Sequence, residues 1–407
     1  MKQNIRLPKR PFAKDGGPIV LAHRGWRGYY PENTMLALDW AAHMPIDGLE
    51  LDIHSTKDGE LVVTHDETVE RTTDGQGRVQ DYSLAELQKL DAGYWWTADE
   101  GKTYPFRGSQ LRIPTVEAVF KRFPNLWINI DIKQKTPSIV KPFADLIRDY
   151  KMEERMCVGS FENETIRAFR QEIPEVVTAG SANEVRLMFV LNKMWLTGLY
   201  RGKGLNFQIP EWEKNLHIVT RSFVEACHRQ KTAVHVWTVN EIEDMKRLLD
   251  LNVDGLVSDY PDRALALMGR LNESHHLKRA TVIIVQDGKV LLFKRVREGN
   301  PAYYIVPGGG IEAGETPDQA AIREAKEETN FEVTLGPKLW QKQINPLFED
   351  HGYLVTDFSG DLQLGGPEAE RHSENNQYIF EWVPLDEAWH LPLYPSQLDV
   401  EAIKTYL

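Results

Sequence analysis

Cysteine is scarce in this chain, with only Cys157 and Cys227 among 407 residues. Two isolated thiols build neither a disulfide framework nor a cysteine-based metal site, so the sequence fits a reducing compartment. Long apolar runs are also missing. The most apolar stretch, residues 185–200, is broken by two basic residues and an asparagine, and it is too short and too polar to span a bilayer.

An excess of positive charge is the third absence. The formal net charge is −12, which argues against binding to a nucleic-acid polymer. The acidity is uneven: residues 275–407 carry 12 Lys and Arg against 21 Asp and Glu, a net of −9, which leaves −3 for the rest. Residues 1–17, which we assign as an N-terminal extension, have basic residues but no apolar run after them, unlike a signal peptide. We therefore expect a cytoplasmic protein that acts on small molecules.

From residue 18 to about 270, short strand-like segments alternate with helical patterns, as in parallel α/β folds. Residues 55–126 interrupt the rhythm with an extra strand candidate, 60–66, and a loop rich in Gly, Tyr and Trp. About eight strand–helix units in roughly 250 residues predict a TIM (β/α)8 barrel with an insertion after strand 2. The strand candidates are 19–25, 48–54, 127–133, 156–161, 176–180, 205–210, 233–239 and 255–261.

The pattern changes near residues 270–277, and we predict two domains, 18–270 and 277–407. Alternating strands around Asp287-Gly288 predict a β-hairpin with a tight turn. Glycine-rich, helical and further strand-like segments follow, with a closing helix at 396–406. The second domain is therefore predicted to be a smaller α+β domain, a mixed sheet with flanking helices.

Charged residues stand at the ends of the barrel strand candidates, where TIM barrels carry their active sites. Glu50 and Asp52 are two apart on a strand and so face the same side, as do Asp131 and Lys133. Three converging carboxylates suit a hard cation such as Mg²⁺ or Ca²⁺. The residue types thus predict a metal site at the barrel mouth.

Two histidines and an arginine belong to the same group. His23 and His65 are natural candidates for general acid and base, and the planar fork of Arg24 can grip a phosphate oxygen. Singly, each has an ordinary structural role available, since strand-end histidines are often core residues and strand-end carboxylates often cap a helix. The combination is what predicts chemistry.

The segment AHRGWRGYYPENT, followed by GLELDIHSTKDGELVVTHDETVERTTD, resembles the glycerophosphodiester phosphodiesterase family. INIDIK, VGSF, VWTVN and VSDYP continue the resemblance, which covers roughly residues 18–268. It implies a divalent ion held by Glu50, Asp52 and Asp131, although members often have Glu where Asp131 stands. The implied products are glycerol phosphate and an alcohol.

The same resemblance implies acid/base catalysis by His23 and His65, a phosphate clamp made by Arg24 and Lys133, and Trp237 as an aromatic wall near the substrate. In this family a neighbouring substrate hydroxyl is thought to attack phosphorus. Which histidine accepts a proton and which donates one stays open, as does the choice between Mg²⁺ and Ca²⁺.

Aromatic and apolar residues in the insertion and in residues 185–200 have two interpretations. They could line a groove for an acyl chain, which would extend the substrates to lysophospholipids and bring transient contact with lipid. Alternatively, they are ordinary packing and loop residues. The oligomeric state is not predicted.

The stretch AIREAKEETNF places Glu324, Glu327 and Glu328 on one helical turn, where like charges repel unless water screens them or a cation holds them. The glycine-rich PGGG comes shortly before, and Thr316-Pro317 predicts the start of the helix. A merely solvated acidic face would not predict the glycine-rich turn.

This arrangement, with Glu315 six residues after Gly309 and Arg323 beginning the acidic run, resembles the Nudix box of nucleoside-diphosphate-X hydrolases, with a resemblance that covers about residues 276–407. It implies that the three glutamates bind Mg²⁺ or Mn²⁺, and that Glu327 and Glu328 serve catalysis by activating water against a pyrophosphate. Gly309 and Gly310 are implied substrate contacts.

Two further details of the Nudix-like segment lead to predictions. Arg323 is expected to pair with Glu315, and Asn330, which stands where the box usually has Gly, is expected to end the helix with φ > 0. Specificity lies outside the box, with Glu370, Arg371 and Tyr378 as candidates. The main hypothesis is a bifunctional metal-dependent phosphohydrolase; the alternatives are an active diesterase with a nucleotide-sensing domain, or a scaffold.

Overall fold

The computed structural model describes residues 17–297, 302–388, 391, 393–394 and 400–406. The chain divides into two compact units, one of residues 1–107 and 111–271 and the other of 108–110 and 272–407. Within the described residues, no helix is long and apolar enough to cross a membrane.

The first unit is a parallel barrel, as predicted. Its strand order is β6-β5-β4-β2-β1-β11-β10-β7, and it closes where Ala179 bridges Asn206 and the Gly180 N–H donates to the Asn206 carbonyl at 2.7 Å. All eight predicted barrel strands are present. The strands of this unit are β1 Ile19–His23, β2 Gly48–Ser55, β3 Leu61–Val63, β4 Trp127–Ile132, β5 Met156–Gly159, β6 Val177–Thr178, β7 Asn206–Pro210, β8 Trp212–Glu213, β9 Leu216–His217, β10 Ala233–Trp237 and β11 Gly255–Ser258.

Helices cover the outside of the barrel, and their sequences show why. In the fourth helix, Val140, Phe143, Ala144 and Ile147 recur at helical spacing and are all buried. Threonine or serine N-caps begin several of the others. The helices are α1 Met35–His43, α2 Leu84–Leu87, α3 Val116–Arg122, α4 Val140–Asp149, α5 Asn163–Glu172, α6 Ala182–Lys193, α7 Arg221–Arg229, α8 Ile242–Asp250 and α9 Pro261–Leu267.

The insertion after β2 has its own structure. Strand β3 pairs antiparallel with β2, and a small apolar cluster that includes Val69 and Leu87 lies under the loop. The guanidinium of Arg107 lies 4.2 Å from the ring centre of Tyr94 and 4.0 Å from that of Tyr104. Cation–π contacts of this kind hold the Tyr- and Trp-rich segment together.

The second unit contains two sheets, with orders β16-β12-β18-β17 and β13-β14-β15-β20, and β19 also pairs with β14. Its strands are β12 Leu277–Ile283, β13 Val285–Gln286, β14 Lys289–Arg297, β15 Tyr303–Ile305, β16 Gly308–Gly310, β17 Glu332–Asn345, β18 Phe348–Ser359, β19 Asn376–Pro384 and β20 Leu393–Tyr394. Its helices are α10 Pro317–Thr329, α11 Gly366–Arg371, α12 Leu385–Ala388 and α13 Val400–Lys404. The predicted closing helix is described only over α13, because residues 395–399 lie outside the described residues.

The predicted hairpin is only partly right. Asp287 and Gly288 both have positive φ, 49° and 74°, as a type I′ turn requires. However, only the short β13 pairs with β14 there, whereas β12 runs parallel to β18 in the other sheet. Strand β12 is buried on both faces, with Val282 in one apolar cluster and Ile283 in the other, and this burial favours its place beside β18.

Candidate active sites

The histidine at the end of β1 is fixed by a carboxylate. The Nδ1 atom of His23 lies 2.6 Å from Oδ1 of Asp259, which directly follows β11, the strand beside β1. Burial lowers the pKa of His23 against the raising effect of Asp259, which favours the neutral ring at neutral pH. Because a carboxylate only accepts, Nδ1 holds the proton and Nε2, 3.8 Å from Glu50 Oε2, presents a lone pair.

Acidic and basic side chains alternate across β2 and β4. Asp52 and Asp131 are direct partners in the register of these two strands. The Lys133 ammonium lies between them, 3.0 Å from Asp52 Oδ1 and 2.6 Å from Asp131 Oδ2. On its other side, Asp52 Oδ2 is 3.0 Å from Arg24 Nε. The structure thus brings together the predicted carboxylates and both predicted phosphate-binding cations.

The carboxylates of this cluster differ in how strongly they hold a proton. Burial raises the pKa of Glu50 well above its usual value, and the neighbouring Asp52 adds to the effect. Burial also raises the pKa of Asp131. In Asp52, burial is outweighed by Lys133 and Arg24, which lower the pKa. Asp52 is therefore the carboxylate of this cluster that ionises most readily. Glu50 ionises less readily and would be stabilised in its charged form by a further positive charge.

The donor set suits a hard cation, although no ready-made cage exists. Among the described residues, no three His, Cys, Asp or Glu side chains already surround a common metal position, because the Lys133 ammonium stands between Asp52 and Asp131. Glu50 Oε2 is buried and has no hydrogen-bond partner, which is costly for a carboxylate and is relieved by a bound cation. The assignment of Glu50, Asp52 and Asp131 as metal ligands stays a prediction.

The second histidine belongs to a chain of ion pairs. His65 Nδ1 lies 2.6 Å from Asp66 Oδ1, and Asp66 accepts from Arg71. Arg71 donates two bonds of 2.8 Å to Glu32, which also accepts from Arg24 at 2.8 Å. Glu32 therefore links the predicted phosphate clamp to the support of His65. The His65 side chain is 32% exposed, in contrast to the buried His23.

Trp237, at the end of β10, reaches the cluster through a second ring. Its ring centre lies 6.0 Å from that of Phe161, edge to face, and the Phe161 ring centre lies 5.0 Å from the Lys133 ammonium. Phe161 is itself 62% exposed. Together the two rings form an apolar wall beside the charged cluster, and contact of Trp237 with the substrate stays a prediction.

A separate cleft of about 580 Å³ opens beside Asp259 and takes part of its wall from the insertion. Trp95 and Trp96 of the insertion line it. The wall is not a plain acyl groove, because three arginines also line it: Arg27, Arg71 and Arg263.

Sequence reasoning gave no role to Asp259, Asp66 or Glu32. Burial would raise the pKa of Glu32, but the surrounding Arg71, Arg24 and Arg27 hold it well below the usual range. All three acids stand inside segments quoted above for the family resemblance: VSDYP, THDETVERTT and PENT. Their signal was their position beside strand ends and predicted site residues, yet only folding shows which partner each one meets.

A prediction follows for Asp259. In Asp259→Asn the amide can donate to Nδ1, which favours the wrong tautomer of His23, so we expect kcat for diester hydrolysis to fall about a hundredfold with KM little changed. The measurement is a steady-state rate across pH, because a tautomer effect also alters the pH profile. Asp254→Asn is the matched control: it disrupts the His228–Asp254 pair, 2.8 Å, which lies at the opposite end of β11. Equal losses in the two variants would contradict the assignment.

In the second unit, the acidic helix α10 begins and ends as predicted. Thr316 is its N-cap, with a capping box completed by Gln319, and Pro317 is its first residue. Asn330 ends it in the left-handed region with φ 63°. The substitution of the usual Gly is tolerated because Asn accepts this conformation better than most residues.

Arg323 ties the helix to the turn before it. It donates to both oxygens of Glu315 at 2.9 Å and to the Gly310 carbonyl at 2.8 Å, which confirms the predicted pairing. It also donates to Glu324 at 2.7 Å and to Glu327 at 3.2 Å. The guanidinium therefore offsets the repulsion between Glu324 and Glu327 on the acidic face of the helix.

Glu328 is the most buried of the three glutamates. It accepts from the Gly308 N–H at 2.7 Å. Burial raises the pKa of Glu328 to about 8, although Arg279 acts in the opposite direction. A carboxyl that resists ionisation next to Glu324, whose pKa is also raised by burial, indicates a place where a positive charge would be favourable.

The three glutamates open into a cleft of about 550 Å³. Arg295, 1% exposed, lies in its wall with the guanidinium stacked on the ring of Tyr378. One of its nitrogens donates to Asn376 at 2.8 Å, while Nε and Nη1 have no hydrogen-bond partner among the described residues. Of the predicted specificity residues, Arg371 and Tyr378 line the cleft, whereas Glu370 is exposed and absent from the lining.

The adjoining glycines lead to a second prediction. A Cβ on Gly309 would overlap the Glu324 carboxylate, whereas one on Gly310 would meet nothing within 4 Å. A carboxylate can move aside, so Gly309→Ala should fold normally but lose about a hundredfold in pyrophosphohydrolase kcat/KM through misplacement of Glu324. Gly310→Ala is the matched control and should stay within about twofold. Similar activity in both variants would show that Glu324 needs no fixed position.

Comparison with known proteins identifies a family for each of the two units. Residues 23–263 match the model of the glycerophosphoryl diester phosphodiesterase family, and residues 275–402 match that of the NUDIX domain. A glycerophosphodiester phosphodiesterase of Bacillus altitudinis is 34% identical over 254 residues, 61% of this chain and 97% of the relative. A lysophospholipase D of Homo sapiens is 29% identical over 271 residues, 60% of this chain and 83% of the relative.

A solved structure shows the same fold. The glycerophosphoryl diester phosphodiesterase domain of a Mycobacterium tuberculosis protein superposes with a TM-score of 0.53 at 20% identity, covering 63% of this chain and all of that one. Both matched families generally use divalent metals and small-molecule substrates. The chain belongs to the glycerophosphoryl diester phosphodiesterase family and joins that phosphodiesterase barrel to a Nudix hydrolase domain.

Proposed function

We propose that the barrel hydrolyses glycerophosphodiesters to glycerol phosphate and an alcohol. The observation that carries the proposal is the geometry of His23: its Nδ1 lies 2.6 Å from Asp259 Oδ1, and its Nε2 lies 3.8 Å from Oε2 of the buried Glu50. A proton acceptor beside a carboxylate cluster and two cations provides what cleavage of a phosphodiester requires.

Each residue then has a definite task. Arg24 and Lys133 neutralise the phosphate, and His23 Nε2 takes the proton from the attacking substrate hydroxyl. His65, on the more exposed side and supported by Asp66, donates a proton to the departing alcohol as its bond to phosphorus breaks, which leaves a cyclic glycerol phosphate. Water then opens the ring to glycerol phosphate: His65 takes a proton from the water, and His23 returns its proton to the ring oxygen that leaves phosphorus. Glu50, Asp52 and Asp131 would hold a divalent ion, which supplies charge neutralisation at the phosphate oxygens when bound.

For the second unit, we propose hydrolysis of a nucleoside diphosphate linked to a further group. Glu324, Glu327 and Glu328 would hold divalent cations, which supply polarisation of the pyrophosphate when bound. Gly309 and Gly310 line the same cleft and give close access to the backbone. Arg295 lines the same cleft, and two of its nitrogens have no hydrogen-bond partner among the described residues, so we assign it to an anionic or carbonyl acceptor on the substrate.

The test is phosphorus NMR of the full chain with Mg²⁺, Ca²⁺ or Mn²⁺, using glycerophosphocholine and ADP-ribose. We expect loss of the diester signal to stop only in Glu50→Ala and loss of the pyrophosphate signals to stop only in Glu327→Ala. Survival of glycerophosphocholine with every metal would refute the barrel assignment. Survival of ADP-ribose and of a panel of other nucleoside diphosphate derivatives would favour a nucleotide-sensing second domain instead.

A further inference from the structure

The barrel carries an exposed apolar surface that the proposed chemistry does not use. It is formed by α6 and the turn after it, and we call it the α6 patch. Trp195 is 90% exposed, Leu199 63% and Met194 57%. A lone exposed Leu is ordinary, but a contiguous run that includes a nearly bare Trp marks an interaction surface. The patch consists of Leu187, Val190, Met194, Trp195, Leu196 and Leu199.

The apolar side chains of the α6 patch lie together. Residues 187, 190 and 194 follow helical spacing and so share one face of α6 and its end. Only Met188 is buried among the helix residues, so α6 offers this face to solvent and not to the core. Trp195 has φ 61°, a conformation that bulky residues rarely adopt. The turn thus holds the indole outward.

The helix that carries the α6 patch begins at the catalytic end of the barrel. In a βα barrel each helix begins near the carboxyl end of the preceding strand, which is the end that carries the site. At its start, α6 contacts the first residue of α5, through the Asn183 N–H and Asn163 Oδ1 at 3.2 Å. At its end it contacts the start of α7, through Asn192 and Ser222 at 3.3 Å. The start of α6 therefore lies at the mouth, and the α6 patch extends from there along the helix and into the α6–β7 connection.

Neighbouring segments extend the apolar rim. Phe161, which follows β5 and borders the charged cluster, is exposed. After β7, the small β8–β9 hairpin exposes Trp212 (52%) and Leu216 (47%). The β5–α5 and β7–α7 connections thus also carry large exposed apolar side chains at the end of the barrel that holds the site.

The positive charge around the α6 patch indicates the kind of partner that the patch binds. Residues 185–204 contain four Lys and Arg and no Asp or Glu, in a chain whose net charge is −12. In the part of the chain that the structure describes, these four cations form no ion pair with a carboxylate. They are Arg186, Lys193, Arg201 and Lys203. Indole and aliphatic groups flanked by unpaired long-chain cations match the interface of an anionic lipid surface, with apolar groups inserted and cations at the headgroups.

We propose that the α6 patch docks the barrel onto the surface of an anionic membrane. Docking would bring the barrel to the surface in which diesters that carry acyl chains reside. The inference extends the proposed barrel function, but the docking itself does not depend on it.

The test is cosedimentation of the full chain with vesicles of phosphatidylglycerol and phosphatidylcholine, compared with vesicles of phosphatidylcholine alone. We expect binding that requires the anionic lipid and weakens severalfold from about 0.1 M to 1 M salt, as screening shortens the Debye length. The double variant Trp195→Ser/Leu199→Ser should bind at least tenfold more weakly, and Lys193→Glu/Lys203→Glu should lose the preference for anionic lipid.

Matched controls distinguish lipid docking from misfolding and from self-association. Tyr406→Ser removes another exposed aromatic side chain, 58% exposed, and should leave vesicle binding unchanged. Hydrolysis of glycerophosphocholine by the double variant should match that of the unaltered protein, which shows that it is folded and keeps failure of docking distinct from failure of the catalytic proposal. Unchanged vesicle binding in the double variant would overturn the docking proposal, as would a dimer that the same variant converts to monomer without any binding to lipid.

Discussion

His23→Ala should lower kcat about a thousandfold on glycerophosphocholine and by a similar factor on a p-nitrophenyl ester of glycerol phosphate. General base catalysis is worth roughly two to four orders of magnitude, and the attacking hydroxyl must lose its proton whichever group departs. His65→Ala should show a different pattern: about a thousandfold loss with choline as leaving group, but less than about tenfold with p-nitrophenol, which departs without protonation. Choline release and nitrophenolate absorbance give the two rates.

The comparison of leaving groups decides between roles that the sequence left open. Rescue of His23→Ala by the aryl ester, with none for His65→Ala, would reverse the assignment. His228→Ala is the matched control, because His228 also pairs with an aspartate, Asp254, but at the far end of the barrel. It should retain both activities.

Glu328→Gln should reduce pyrophosphate hydrolysis by about a thousandfold or more, the scale on which a dedicated electrostatic group acts, and should leave diester hydrolysis unchanged. The same variant should melt at an equal or higher temperature. The pKa of Glu328 is raised to about 8 by burial, so above that pH the native state carries a buried charge that glutamine removes. Stability that Glu328 contributes in its protonated form is present below its unfolded pKa and is lost as pH rises toward 8.

We expect this variant to lose activity without losing stability. Nucleotide chromatography measures the activity, and thermal melts at pH above 8 measure the stability. Asp318→Asn, in the exposed first turn of the same helix, should change neither readout. A Glu328→Gln protein that melts at a much lower temperature would mean that this carboxylate is structural.

The barrel could be predicted because its evidence is periodic and local. Each strand is a short apolar run bounded by helical patterns, and all eight runs became strands. The second unit was harder, since β12 and β14 look like the arms of one hairpin although β12 pairs with β18, more than sixty residues later in the chain. Local alternation predicts a strand, but its partner depends on which faces are buried, and both faces of β12 are.

The site residues divide in the same way, into features that the sequence predicted and features that depend on the fold. Residue types at strand ends predicted His23, Glu50 and Asp52, because position along a strand fixes the edge to which a side chain belongs. The tautomer of His23 depends on Asp259, 236 residues away, and the place of Lys133 depends on the register of β2 and β4. Such pairings arise from closure of the barrel, which no single segment encodes.

The position of the Lys133 ammonium between Asp52 and Asp131 has a consequence for the metal-free protein. With Arg24 on the other side of Asp52 and Glu50 inclined to keep its proton, the cluster is close to electrically balanced by its own residues. Folding of the barrel is therefore expected to proceed without the ion. If Glu50, Asp52 and Asp131 hold a divalent ion as proposed, protein stripped by a chelator should regain activity at once when the ion is returned.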